Sequence, residues 1–250
     1  MKRLNVKVNV VTSIASFSVN IILTFISYKV VLLGGGVSDL GLWSALSALI
    51  YLMRVGDAGM SNAAERYIAA TDVNVSPARV SGLLGTALLV NAVLFSALAF
   101  AGWLILEMYL PVLITVSEQE QSVAISMIPV MLVGFIFINI SNVLYGGIRG
   151  LHLGWLASVA STVSVVVQLI IVVILVPKIG IEGLAWAQLY QAVTASLIAW
   201  LFFVVSLSKL SKTNQSFLRL GFSIPITKEL LGFSLRAQGV NILNGLLEPM

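Results

Sequence analysis

Six apolar segments divide this chain, and each is long enough to cross a lipid bilayer as a helix, which takes about 20 residues. They predict transmembrane spans at residues 8–33, 40–68, 80–110, 122–145, 151–176 and 181–207. Charged residues make up 10% of the sequence, whereas soluble domains carry about 25%. The sequence therefore predicts an all-α membrane protein with six transmembrane helices and the start of a seventh.

The composition changes after the sixth segment. Residues 1–207 form the predicted six-helix transmembrane lobe, residues 208–229 a cytoplasmic linker with an amphipathic segment from Phe222, and residues 230–250 the start of helix 7. Because the sequence ends inside this seventh helix, we expect it to represent part of a longer, two-lobed protein. Assembly of two copies around one cavity is the alternative.

The distribution of basic residues predicts the orientation in the membrane. With the N-terminus in the cytoplasm, Lys178 is the only basic residue of the outer loops, and ten basic residues lie on the inner side. The ten inner residues are Lys2, Arg3, Lys7, Arg66, Arg79, Arg149, Lys209, Lys212, Arg219 and Lys228. Since cytoplasmic loops are enriched in Lys and Arg, this bias favours a cytoplasmic N-terminus.

Several classes of function are excluded by composition. The chain has no cysteine and a single histidine, which rules out disulfides, thiol chemistry and a metal site of several histidines. No phosphate-binding loop and no nucleophile-base pattern occurs, so we expect neither an enzyme nor a bound cofactor. The net charge of +4 is scattered over short loops, which does not favour a nucleic-acid partner.

A polar stripe follows the first predicted span. It consists of Asn9, Ser13, Ser16, Asn20, Thr24 and Ser27, which are three or four residues apart and so share one helical face. Such residues often mediate helix packing in membranes. Six of them exceed what one packing seam needs, which favours a cavity lining with Asn20 and Thr24 as candidates. Lys29 lies opposite the stripe, near the outer end, where it can extend to the membrane interface.

The second predicted span carries charges at membrane depth. An arginine there costs about 2.5–3.5 kcal/mol on insertion scales, so Arg54 must face protein or water. Asp57 is three residues away and close enough to pair with it. Two interpretations stay open: a structural ion pair, or a water-filled cavity in which Arg54 meets an anionic substrate, with Ser61 on the same face. Glu65 is interpreted as marking the cytoplasmic end of the span.

Six short motifs occur along the chain in this order: YKVVLLG at 28–34, LGLW at 40–43, DAGM at 57–60, ERYIA at 65–69, GIRG at 147–150 and GIEGLA at 180–185. Together they resemble the polysaccharide and O-antigen flippases of the multidrug/oligosaccharidyl-lipid/polysaccharide exporter superfamily. Their order and spacing agree with the first lobe of that family. The triple glycine at 34–36 and Asp39 depart from the usual loop before LGLW, which affects placement of the outer gate.

This resemblance implies one lobe of a MATE-like, two-lobed helical bundle around a central cavity that opens alternately to either side. It implies transport of a polyprenyl-pyrophosphate-linked oligosaccharide across the bacterial inner membrane, with membrane lipids and other polysaccharide-assembly membrane proteins as partners. On the matching positions it assigns Arg54, Asp57, Arg66 and Lys29 to the substrate cavity. Arg149 lies in a predicted inner loop, although a basic residue at a cavity mouth can attract a phosphate.

Other functions remain open at this level. A multidrug or organic-cation antiporter of the same superfamily would need uncompensated carboxylates in its cavity, and Asp57 has Arg54 nearby. A polysaccharide polymerase or ligase would carry a long outer loop, and the outer loops here are short. A non-transporting membrane component is the third alternative. The glycan, the coupling to a proton or sodium gradient, and the oligomeric state are left open by the sequence.

Overall fold

The computed structural model describes residues 2–53, 59–73, 75–113, 117–211 and 221–234. These residues form α1 (Lys2–Leu52), α2 (Met60–Ala70), α3 (Pro77–Leu113), α4 (Glu118–Gly150), α5 (Gly154–Ile179) and α6 (Glu182–Ser211). A seventh helix, α7, covers 224–234. Five of the helices are long and apolar enough to span a membrane, and the described part of the chain contains no strand. The predicted all-α membrane fold is confirmed.

Helix α1 joins the first predicted span to the beginning of the second. Its 51 residues would measure about 77 Å at 1.5 Å per residue, more than twice the thickness of the apolar bilayer core. The helix is therefore kinked, and the kink lies at Gly36, whose φ of 80° and ψ of −169° suit only glycine. The first predicted span ends at residue 33, before the triple glycine. In the structure the helix continues through the glycines, kinks at Gly36 and then resumes.

The prediction of one continuous helix over 40–68 is wrong. Helix α1 ends at Leu52, and α2 begins at Met60 after Gly59, which has a left-handed backbone (φ 64°, ψ 27°). Helix α2 has only 11 residues and buries Met60, Ala63 and Ile68. The spacing of polar residues continues through this break to Ser61 and Glu65, so periodicity does not reveal it.

Ends of the later helices follow local chemistry. Helix α4 begins with a capping box, in which the Ser117 hydroxyl accepts from the Glu120 amide and the Glu120 carboxylate accepts from the Ser117 amide. Pro129 lies within this one continuous helix. Helix α5 continues past residue 176, the predicted end of the fifth span, through Pro177, and terminates before Gly180, which has a φ of 66°.

The helices pack around two apolar cores. One contains Trp43, Phe95 and Phe135, with the two phenylalanine rings edge to face at 5.3 Å. The other contains Ile68 and Phe203 and lies where α2 meets α3, α4 and α6. Helix α4 packs against α2, α3 and α6, while α1 packs along α5. This arrangement leaves an opening where α1, α4 and α5 come together.

A polar cleft between helices α1, α4 and α5

The opening is a polar cleft with about 720 Å³ of empty space. It lies near the turn between α4 and α5. Its lining residues are Ser13, Ser16, Phe17 and Asn20 of α1, Asn142, Tyr145 and Arg149 of α4, and Gly154, Ala157, Ser158 and Ser161 of α5. Polar groups, mainly hydroxyls and amides, make up somewhat less than half of its wall, and two aromatic rings belong to the lining.

The serines of the α1 stripe contact α5. The Ser13 and Ser158 hydroxyls are 3.3 Å apart, and the Ser16 and Thr162 hydroxyls are 2.7 Å apart. Ser16 also donates to the Ser158 carbonyl at 3.1 Å. These bonds form a polar seam between two transmembrane helices. Helix packing was the less favoured of the two roles predicted for the stripe, after a cavity lining.

The two asparagines of the stripe are held by α5 and the turn before it. The Asn9 amide nitrogen donates to the His152 carbonyl at 3.3 Å, and its amide oxygen accepts from the Trp155 backbone at 3.0 Å. The Asn20 amide nitrogen donates to the Ser161 hydroxyl at 3.0 Å, and its oxygen is buried without a hydrogen-bond partner. Asn20 therefore lines this cleft, and its amide oxygen is an acceptor without a partner.

The last two members of the stripe bond within α1. Thr24 donates to the Asn20 carbonyl at 2.8 Å, and Ser27 donates to the Leu23 carbonyl at 3.0 Å. Thr24 lies outside the cleft lining and borders a separate notch with Asn20 and Phe17. The stripe is thus divided. Its first part is a packing seam beside the cleft, and the hydroxyls of its last part bond to backbone carbonyls of α1 itself.

Arg149 supplies the positive charge of the cleft wall. Its Nε lies 2.7 Å from Glu65 Oε2, and its Nη2 lies 3.5 Å from the Ser61 hydroxyl. Ser61 in turn donates to the Asn142 carbonyl at 2.7 Å. The Arg149 and Glu65 side chains are 41% and 38% exposed, so the pair is in contact with the open space and is screened there.

The contact between Arg149 and Glu65 is not predictable from the spacing of the two residues in the sequence. They lie 84 positions apart, at the ends of different helices, where charges ordinarily mark topology. The available signal was their opposite charge on the same predicted side of the membrane. That signal is weak, because other inner loops also carry charges.

Two of the other predicted site residues, Lys29 and Arg66, lie away from the cleft lining. Arg54 and Asp57 lie outside the described residues. Lys29 is exposed on α1. The Arg66 guanidinium lies over the Phe233 ring of α7, at 4.5 Å from its centre, and is not part of the cleft lining. Of the seven predicted residues, the structure brings Asn20 to the cleft and Ser61 to its edge.

No family model and no curated protein matches the chain. Several solved structures match the chain. An outward-facing multidrug resistance MATE family transporter of the MOP superfamily matches with a TM-score of 0.67 and 19% identity, over 94% of this chain and 51% of its own. A MOP superfamily transporter from Pyrococcus furiosus matches with a TM-score of 0.68 and 20% identity, over the same shares. The chain has the fold of one lobe of a MATE transporter.

A third match, a MATE transporter in complex with MaD5, has a TM-score of 0.69 and 19% identity over 91% of this chain. The chain spans about half the length of the solved structures that it matches. In this MATE-like lobe, the polar cleft is bounded by α1, α4 and α5, the first, third and fourth of the five long helices described above.

Proposed function

We propose that this chain is part of an exporter of the MOP superfamily that works by alternating access. The observation that carries the proposal is the match of 94% of the chain to one lobe of a MATE transporter. The open polar cleft supports it, because hydroxyl, amide and guanidinium groups would be costly inside a helical bundle that only packed. We place the Arg149 end of the cleft on the cytoplasmic side of a bacterial inner membrane.

The first candidate substrate is an amphipathic, drug-like molecule. Two of the matching solved structures are described as multidrug resistance transporters. Phe17 and Tyr145 would give apolar contacts to such a molecule, and the serine hydroxyls would give polar ones. A cationic drug would need a free carboxylate, and Glu65 at the cleft edge is engaged by Arg149. Cation binding at this site would therefore require that ion pair to open.

The second candidate is a lipid-linked oligosaccharide, as the sequence resemblance implies. The chemistry of the cleft wall favours it: hydroxyl and amide groups suit sugars, and the Arg149 guanidinium suits a phosphate. The Pyrococcus furiosus relative is described as having a binding pocket of reverse polarity that suggests a different function. Arg54 and Asp57 remain proposed substrate contacts on the sequence alone.

Binding to the purified chain separates the two candidates. Native mass spectrometry would measure binding of tetraphenylphosphonium, a lipophilic cation, and of a polyprenyl pyrophosphate, in the original chain and in Arg149→Gln. Loss of a charge-assisted hydrogen bond costs about 1.5–3 kcal/mol, or about 10- to 100-fold in affinity. The oligosaccharide candidate predicts this loss for the pyrophosphate lipid. The drug candidate predicts that the cation binds Arg149→Gln at least as tightly, because Glu65 is then free.

Lys178→Gln is the matched control, because it removes an exposed cation at the opposite end of α5. It should leave both affinities unchanged. Binding of neither ligand to the folded chain would contradict the assignment of the cleft as a substrate site.

A further inference from the structure

Helix α2 contacts two parts of the molecule through neighbouring residues. Glu65 pairs with Arg149 on α4, at the cleft wall. The next residue, Arg66, lies 4.5 Å from the centre of the Phe233 ring on α7. Tyr67 meets the same ring edge to face at 6.0 Å. One turn of α2 is thus attached to the cleft on one side and to α7 on the other.

Helices α2 and α4 approach each other so closely that no side chain fits between them at two glycines of α4. A Cβ atom at Gly150 of α4 would lie 2.8 Å from the Glu65 carbonyl oxygen and 2.8 Å from Ile68 Cβ. A Cβ atom at Gly146 would overlap the Ser61 carbonyl oxygen. Because the two backbones touch at both glycines, a displacement of the cleft end of α4 must displace α2 as well.

Helix α7 is fixed to α2 and α3 together. The Tyr67 hydroxyl donates to the Glu229 carbonyl at 3.4 Å, and the Glu229 carboxylate lies 3.2 Å from the Arg79 guanidinium of α3. Ahead of α7, the Thr86 hydroxyl donates to the Gly221 carbonyl at 3.2 Å. Movement of α2 would therefore strain the contacts that hold α7 in place.

Helix α2 is short enough to move as a unit. It has 11 residues and begins directly after Gly59, whose left-handed backbone precedes the helix. A glycine at such a position tolerates large dihedral changes, which is the property of a hinge.

We propose that α2 is a coupling helix, which links the state of the Glu65–Arg149 ion pair at the cleft to the docking of α7. Opening of the pair loosens α2 on α4 and weakens the contacts of Arg66 and Tyr67 with α7. The coupling is reciprocal by thermodynamic linkage, so release of α7 also loosens the cleft wall. The proposal rests on these contacts and not on a transport activity or a substrate.

Thiol labelling of single-cysteine variants tests this coupling. The chain has no cysteine, so reporters need no background removal. Ser234→Cys reports α7 docking and Ala64→Cys reports α2 docking, because both side chains are fully buried. The purified full chain would carry one reporter with either Arg149→Gln, at the cleft, or Glu229→Gln, at α7.

Arg149→Gln should raise the labelling rate of Ser234→Cys about 2- to 5-fold, the effect of losing one partly exposed ion pair. Glu229→Gln should raise the rate of Ala64→Cys by a similar factor, whereas Lys178→Gln should change neither. The proposal is overturned if Arg149→Gln speeds labelling of Ala64→Cys and leaves Ser234→Cys unchanged. If Arg149→Gln does not fold, Glu65→Gln breaks the same pair from the other side, with the same two outcomes.

Discussion

Replacing Gly146 with alanine would force α2 and α4 apart. The new Cβ atom would overlap the Ser61 carbonyl oxygen and lie 2.8 Å from the Ser61 hydroxyl oxygen and 3.1 Å from its carbonyl carbon. Two of these atoms belong to the backbone of α2 and cannot turn aside. The carbonyl oxygen is the closest of the three atoms, so the helix would have to move by more than the roughly 0.6 Å that would bring the hydroxyl back to ordinary contact near 3.4 Å.

The expected cost follows from two opposing effects. Overpacking a well-packed contact destabilises by about 1–3 kcal/mol. Replacing a glycine inside a helix by alanine stabilises by about 0.5–1 kcal/mol. Gly146→Ala should therefore lower the free energy of unfolding by about 0.5–2 kcal/mol. At Gly41, inside α1, a Cβ atom meets nothing within 4 Å, so Gly41→Ala should show the stabilising effect alone.

Denaturant titration in detergent, followed by the fluorescence of the five tryptophans, would compare the two variants. Gly146→Ala should unfold at a lower denaturant concentration than the original chain, and Gly41→Ala at a higher one. A Gly146→Ala protein as stable as Gly41→Ala would refute the close approach of α2 to α4.

Two further predictions concern polar side chains that fix helix positions. Asn9→Ala removes the bonds to His152 and Trp155 and should lower the free energy of unfolding by about 1–2 kcal/mol in the same titration. Ser18→Ala is the control, because the Ser18 hydroxyl is exposed and bonds within its own helix. A smaller loss of stability for Asn9→Ala than for Ser18→Ala would contradict the polar seam between α1 and α5. Ser117→Ala removes the N-cap of α4 and should cost about 1 kcal/mol, and equal stability would show that the capping box contributes nothing.

The sequence predicted the helices well because membrane spans are set by length and hydropathy, which need no tertiary information. It failed at Gly59, where the apolar pattern continues through a backbone break. The periodicity also placed the α1 polar stripe on one face correctly. It could not say that the Ser16 and Asn20 side chains find partners on α5, since a packing seam and a cavity lining have the same pattern.

The charges of the candidate site were harder to predict than the helices. Arg149 meets Glu65 across 84 positions, and Arg66 meets Phe233 on α7, which follows all the long helices. Helical spacing relates residues within one helix only. Contacts between helices depend on rotation and close approach, and here they depend on Gly146 and Gly150, which lie between the predicted fourth and fifth spans.

Accessibility of Ser158 tests most directly whether substrate binds in the polar cleft. Ser158→Cys places a thiol in the cleft lining, and Ser208→Cys places one on the exposed end of α6. Labelling of both variants would be measured with and without a saturating concentration of tetraphenylphosphonium or a polyprenyl pyrophosphate. The ligand that binds should slow labelling of Ser158→Cys several-fold and leave Ser208→Cys unchanged. A bound ligand that protects neither cysteine would contradict the cleft as the substrate site.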